Sequence, residues 1–151
     1  MRILFVCLGN ICRSPMAEGI MKQLITDHQL EWEVDSAGTE SYHVGEKPDP
    51  RAIRTCRKHG IEITGQRARR ISKNDFETFD KIYALAGDVL QEINRMHPNL
   101  KPHGELKLLL DELFPGEHRS VPDPYYGREE DFEPVFRTIM EACEAIVKKY
   151  Q

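Results

Sequence analysis

Cys7 and Arg13 stand five residues apart, with Leu8-Gly9-Asn10-Ile11-Cys12 between them and Ser14 directly after. A loop of that length can curl around a phosphate so that several backbone N–H groups point inward, and a following helix would add its positive end to the same anion. Gly9 and Asn10 suit the curl because both accept left-handed backbone angles at low cost. The planar guanidinium of Arg13 matches two phosphate oxygens and would hold them more tightly as charge spreads in a transition state, which a lysine could not do. The same amides and guanidinium would favour the thiolate of Cys7 and make it a nucleophile, with a phosphocysteine as the product of attack. The competing reading of Cys7 alone is a small buried hydrophobe at the end of a strand.

Such a loop must be carried by a strand and a helix. Residues 3–6 form a short β-branched and aromatic run that predicts a strand buried on both faces. Ser14-Pro15 with Glu18 predicts a helix start, with a hydroxyl cap, a proline in the first turn and an acid near the positive end. Ala17, Ile20, Met21, Leu24 and Ile25 then recur at helical spacing as far as Asp27. Further along, 32–35 reads as a strand closed by Ser36-Ala37-Gly38, 40–50 as a loop, and 51–59 as a helix ended by Gly60. Residues 81–85 predict a third strand and 89–96 a helix, while 105–110 reads as a fourth strand with a helical reading open. A long loop over 115–127 precedes an amphipathic helix over 130–149, marked by Phe132, Val135, Phe136, Ile139, Met140, Cys143, Ile146 and Val147. Strands alternating with helices predict an α/β three-layer sandwich: a four-stranded parallel sheet flanked by helices, flavodoxin- or Rossmann-like, in one domain over 1–151. Ligands of such sheets sit beyond the carboxyl ends of the strands, where Cys7 would lie.

Composition narrows the function classes. A chain of 151 residues can bury roughly two-thirds of its unfolded surface in one core. A formal net charge of -4 argues against a broad nucleic-acid footprint. Arg67, Arg69, Arg70 and Lys73 form a local basic cluster, read as a solvated face or as a docking patch for an acidic partner. The apolar run 3–8 is too short for a secretory signal, and no membrane span follows. Cysteines 7, 12, 56 and 143 have neither the density of a disulfide scaffold nor paired C-x-x-C spacing, so a reducing cytoplasm is expected.

The run Val6-Cys7-Leu8-Gly9-Asn10-Ile11-Cys12-Arg13-Ser14-Pro15 resembles the signature loop of low-molecular-weight protein tyrosine phosphatases. Asp123-Pro124-Tyr125-Tyr126-Gly127 resembles that family's acid loop, and Asp35-Ser36-Ala37-Gly38 and Pro48-Asp49-Pro50-Arg51-Ala52 match its landmarks between the two. The resemblance spans essentially the whole chain. It implies hydrolysis of phosphotyrosine in proteins, releasing inorganic phosphate, without metal or cofactor. It implies that Cys7 attacks phosphorus, that the loop residues Leu8, Gly9, Asn10, Ile11, Cys12, Arg13 and Ser14 bind the phosphoryl group, and that Asp123 protonates the leaving phenolate and then activates water.

By the same resemblance Ser14 donates to the Cys7 sulfur, although a helix cap is its ordinary role. Asn10, Ser36 and Gln66 join Ser14 in supporting the loop, Gln66 standing where relatives often have histidine. Leu8, Ile11, Tyr42 and Tyr125 would wall a slot for a flat phenyl ring, Tyr42 replacing a frequent tryptophan. Tyr126 would pack the acid loop or line the slot, and His43 could sit at the slot's mouth, although an ordinary solvent-exposed histidine is the expected reading. Ala86-Gly87 replaces an acidic residue common after the third strand. Cys12 would either form a reversible disulfide with Cys7 or fill the core below the loop.

Three rivals share parts of this pattern. A protein arginine phosphatase looks similar but typically has threonine where Ile11 stands. Arsenate reductases of this architecture need relay cysteines, which the segments around Cys56 and Cys143 do not resemble. A phosphocysteine carrier domain would have no use for a placed acid such as Asp123.

Overall fold

A computed structural model describes all 151 residues. The first strand, β1 (Arg2–Cys7), leads through the loop at Leu8–Cys12 into α1 (Arg13–Asp27), and β2 (Glu33–Gly38) follows. Next come α2 (Pro50–Lys58), a short α3 (Lys73–Thr78), β3 (Lys81–Ala84), α4 (Gly87–Met96) and β4 (Glu105–Leu108). A 3₁₀ turn at Leu109–Glu112 ends β4, a second at Glu129–Asp131 introduces α5 (Phe132–Tyr150), and α5 closes the chain.

All strand pairs are parallel and the order is β2-β1-β3-β4. Because side chains alternate across a strand, β1 feeds two cores. Ile3, Phe5 and Cys7 pack with α1, α2 and α5, while Leu4 and Val6 pack with Phe76, Val89 and Ile93 from α3 and α4. That double burial makes the three layers and explains the uninterrupted apolar run of β1. The order reverses at β1, whose neighbours β2 and β3 lie on opposite sides, so a crevice opens at its carboxyl end.

The expected architecture holds, with local corrections. β2 runs on through Ser36-Ala37-Gly38 instead of closing there, because Gly38 still pairs with Cys7. The segment 105–110 is both things expected of it in turn, a strand followed by a 3₁₀ turn. Residue 85 falls outside β3, and α3 had no counterpart in the sequence reading; its six residues hold only Phe76 as a core anchor, too few to show a period.

The start of α1 also differs from expectation. Cys12 occupies the cap position, no side chain caps the helix, and Ser14 lies inside the first turn with its hydroxyl turned back toward the loop. Glu18 is buried and does not sit at the helix start at all. At α2, by contrast, Asp49 caps through the Arg51 amide and Pro50 occupies the first position, as helix-start chemistry favours. The basic cluster keeps the solvated face expected of it at Arg67, Arg70 and Lys73, although Arg70 also donates to the Thr39 carbonyl at 3.1 Å. Arg69 is the exception: half-buried, it pairs with Asp35 at 3.1 Å and with Asp75 at 3.0 Å.

Candidate active site

The loop after β1 turns on Asn10, whose φ of 58° is left-handed. For most residues that angle costs about 1–2 kcal/mol, and here side-chain bonds hold it. The Asn10 Nδ2 donates to Ser14 Oγ at 2.8 Å and to Ser36 Oγ at 3.0 Å, while its Oδ1 accepts from the Arg69 amide at 2.9 Å. Ser14 Oγ, an acceptor from Asn10, lies 2.9 Å from Cys7 Sγ and 3.4 Å from the Ala37 carbonyl, so its hydroxyl is placed to donate to the sulfur whenever that sulfur is a thiolate. Ser36 Oγ passes its own hydrogen to Glu18 Oε1 at 2.7 Å, and Glu18 Oε2 meets Lys22 at 2.6 Å.

A chain of hydrogen bonds therefore runs from a buried carboxylate on α1 to the sulfur at the end of β1. Burial of Asn10, Ser14, Glu18 and Ser36, each at most 4% exposed, shields it from competing water. Gln66 stands outside this chain: it donates to the Pro15 carbonyl at 3.0 Å, and its Oε1 has no partner. The support role assigned to Gln66 thus reduces to bracing the first turn of α1, because its amide reaches backbone and not Asn10 or Ser36.

Above the sulfur the loop presents free donors. The amides of residues 8 to 12 donate to no backbone carbonyl, as a cradle for an anion requires. Arg13 is 3% exposed; its Nη1 donates to the Val121 carbonyl at 3.0 Å and its Nη2 lies 3.5 Å from Asp123 Oδ2. Asp123 is a partly exposed side chain whose Oδ1 accepts the Tyr125 amide at 3.1 Å, and buried Pro124 anchors it from below. All three residues expected to do chemistry line one cavity of about 270 Å³.

Leu8, Ile11, Tyr42 and Tyr125 also line it, so the four expected walls converge. Tyr126 lines the cavity too, meets Tyr125 edge to face at 5.0 Å and is 87% exposed, which removes the packing role considered for it. His43 is not free in solvent. Its Nδ1 is 2.5 Å from Glu46 and its ring lies over Gly9, at the cavity wall.

The two loop cysteines differ sharply. Burial pushes the Cys12 thiol well above the ordinary thiol range, and the charges of Asp49, Cys7 and Asp123 add to the effect, so Cys12 stays protonated. It belongs to the main core cluster, and both loop thiols are free. Burial likewise raises Cys56, to about 12, and Cys143. Where relatives were expected to have an acid after β3, the Gly87 amide donates to Ser120 Oγ at 2.9 Å.

Sequence reasoning gave Glu18, Glu40, Arg51 and Arg69 no place in the site. Glu40 lines the cavity, Arg69 joins the loop to β2 and α3, and Arg51 touches the acid loop. Isolated charges carry no periodic or spacing signal, so only the matched landmark around Arg51 could have pointed to one of them.

Comparison with known proteins agrees with this geometry. The family model described as low molecular weight phosphotyrosine protein phosphatase matches residues 2–151. The chain belongs to that family. The low molecular weight phosphotyrosine protein phosphatase of Sus scrofa is 41% identical over 149 residues, covering 97% of this chain and 94% of its own length. Among solved structures, a drosophila arginine phosphatase superposes with a TM-score of 0.93 at 37% identity, covering 100% of this chain and 98% of its own. A protein tyrosine phosphatase from Entamoeba histolytica gives 0.89 at 38%, covering 99% and 96%.

Proposed function

We propose that the protein hydrolyses phosphomonoesters of tyrosine in proteins through a phosphocysteine at position 7. The Cys7 sulfur attacks phosphorus as the bond to the phenol oxygen breaks, and Asp123 delivers its proton to that oxygen. Removing charge from the departing group is worth roughly 10²–10⁴-fold in rate. Arg13 and the amides of residues 8 to 14 hold the equatorial oxygens. Water then attacks the phosphocysteine, giving its proton to Asp123 and its oxygen to inorganic phosphate, and the sulfur leaves with Ser14 donating to it.

The observation that carries this reading is the 2.9 Å contact from Ser14 to the Cys7 sulfur in the cavity where Arg13 meets Asp123 at 3.5 Å. Negative charge on sulfur gains from a donor so placed, and the proton source stands on the open side. The partly exposed aromatic Tyr125 and aliphatic Leu8 and Ile11 favour a flat aryl ester. Asp123 beside the phosphate loop argues against a carrier, and buried Cys56 and Cys143 offer no relay for arsenate reduction. Four free thiols accord with a reducing cytoplasm as the place of action, and no helix is long and apolar enough to cross a membrane.

A second reading, hydrolysis of phosphoarginine, draws on the likeness to the drosophila arginine phosphatase and on Glu40 and Asp123, two carboxylates lining the same cavity. Ile11 opposes it by presenting a methyl surface where a guanidinium needs acceptors. A panel of phosphotyrosine, phosphoserine and phosphoarginine substrates separates the two, with phosphotyrosine expected to be preferred. Rapid acid quenching and peptide mapping should locate phosphate on Cys7; phosphate on any other residue, or turnover by Cys7→Ser, overturns the mechanism.

A further inference from the structure

The cradle and the proton donor come from different parts of the chain, so something must set the distance between them. One end of the acid loop is accounted for. Val121 is fully buried, donates its amide to the Leu85 carbonyl at 2.8 Å and receives Arg13 on its own carbonyl. Asp123 lies two residues beyond that anchor, and the loop then turns outward through the exposed pair Tyr125-Tyr126 to Gly127.

The other end is held by one side chain. Arg51 Nη2 donates to the Tyr125 carbonyl at 2.9 Å and Nη1 to the Gly127 carbonyl at 3.0 Å. Its opposite edge grips Asp49 in a fork, Nε at 3.0 Å and Nη2 at 2.9 Å. Asp49 is itself tied to the phosphate loop, donating its amide to the Ile11 carbonyl at 2.8 Å. The guanidinium carbon lies 5.7 Å from the Tyr125 ring centroid and 4.7 Å from that of Phe132. A continuous path therefore joins Ile11 to Asp49, Arg51 and Tyr125, whose amide donates to the Asp123 carboxylate.

We propose that Arg51 is the positioning residue that holds the acid loop over the phosphate loop, keeping the Asp123 carboxyl within proton-transfer reach of the leaving oxygen. The proposal rests on the acid role given to Asp123 above. Four of the five guanidinium N–H groups are committed, two to Asp49 and two to loop carbonyls. Lysine cannot reproduce this, since one ammonium cannot span a carboxylate and two carbonyls in a plane. Cys7, Ser14 and Asn10 owe their placement to the separate network through Ser36 and Glu18, so nucleophilic attack does not depend on Arg51. Arg51 acts through Asp123, on proton delivery to the leaving oxygen and on proton uptake from water.

The test is a leaving-group series. Arg51→Met and Arg51→Lys are assayed for kcat/KM on aryl phosphates whose phenols range from very acidic to weakly acidic, beside wild type and Asp123→Ala. Inhibition by inorganic phosphate and the denaturation midpoint are measured in parallel. Both Arg51 variants should lose roughly 10²-fold on the weakly acidic phenols and little on the most acidic one, which leaves without a proton. Phosphate inhibition should hardly change. The combination of Arg51→Met with Asp123→Ala should be no slower than Asp123→Ala alone, because the first change acts through the second.

If Asp123→Ala itself slows all esters equally, the acid assignment under Proposed function fails and takes this inference with it. If Asp123→Ala steepens the leaving-group dependence and the Arg51 variants slow every ester alike, or not at all, the positioning role alone is overturned. Should Arg51→Met unfold, Arg51→Lys keeps the charge and decides by the same slope.

Discussion

Replacing Asn10 removes three hydrogen bonds at once, those to Ser14, Ser36 and the Arg69 amide. At about 1 kcal/mol each in net contribution, Asn10→Gly should cost roughly 3 kcal/mol, while glycine keeps the left-handed angle without strain. Asn10→Ala loses the same bonds and must also hold its backbone at φ 58°, which adds about 1 kcal/mol. For a chain of this size each 1 kcal/mol moves Tm by about 2–4 °C. Asn10→Gly should therefore melt roughly 6–12 °C below wild type, and Asn10→Ala a further 2–4 °C lower. In both, Ser14 is freed to rotate away from Cys7, and kcat/KM on an activated aryl phosphate should fall about 10²-fold. Thermal and urea denaturation give the stabilities, and initial rates give the activity. Equal stability of the two variants would refute the claim that the network holds a strained residue. Wild-type turnover in either would show that the chain of bonds to the sulfur does no work in the reaction.

Gly38→Ala would set a Cβ 2.7 Å from the Leu8 carbonyl and 3.1 Å from the Asn10 amide, pushing the phosphate loop from below. It should cost about 1–3 kcal/mol and much of the activity in the same assays, whereas Gly65→Ala, with nothing within 4 Å, should stay within about 0.5 kcal/mol of wild type. Glu18→Gln weakens the charge-assisted bonds to Ser36 and Lys22 and should destabilise by roughly 2 kcal/mol in urea titrations, with a smaller loss of activity than Asn10→Gly. Glu112 is 1% exposed in its side chain; burial opposes its ionisation, yet bonds from Lys107 and Tyr83 outweigh that and hold its carboxyl below the usual range. Its contribution is thus full above the ordinary glutamate pKa and disappears as pH falls through the lowered folded value. Glu112→Gln should remove that part of the acid-side loss and cost about 3 kcal/mol near neutrality, read from denaturation midpoints across pH.

Much of this site was legible without coordinates. The strand before Cys7, the Gly-Asn curl and the helix after Arg13 are local matters, and periodicity over a few residues reports them. The failures are instructive. Glu18 reads as an acid at a helix start because its place on α1 is visible in one dimension, whereas Ser36 beside it comes from β2. Arg69 reads as solvated charge because a cluster of arginines has no spacing that reports its acceptors, which lie on Asp35 and Asp75. Gln66 was assigned to the loop network by resemblance, but its amide reaches Pro15.

Local residue types and spacing are enough to mark Cys7 as a candidate nucleophile and Arg13 as a candidate clamp, and to supply the curl between them. Five intervening residues between Cys7 and Arg13, with a left-handed angle available at Asn10, close the loop at small entropic cost. The motif resemblance already pointed to Asp123, and what the folded chain adds is its place beside Arg13 and the contacts that steady it. Asp123 meets Arg13 because the order β2-β1-β3-β4 brings the end of β3, and the loop tied to it at Leu85, beside the end of β1. Closing so long a stretch of chain is unfavourable by itself, and it is packing on both faces of the sheet that overcomes that cost.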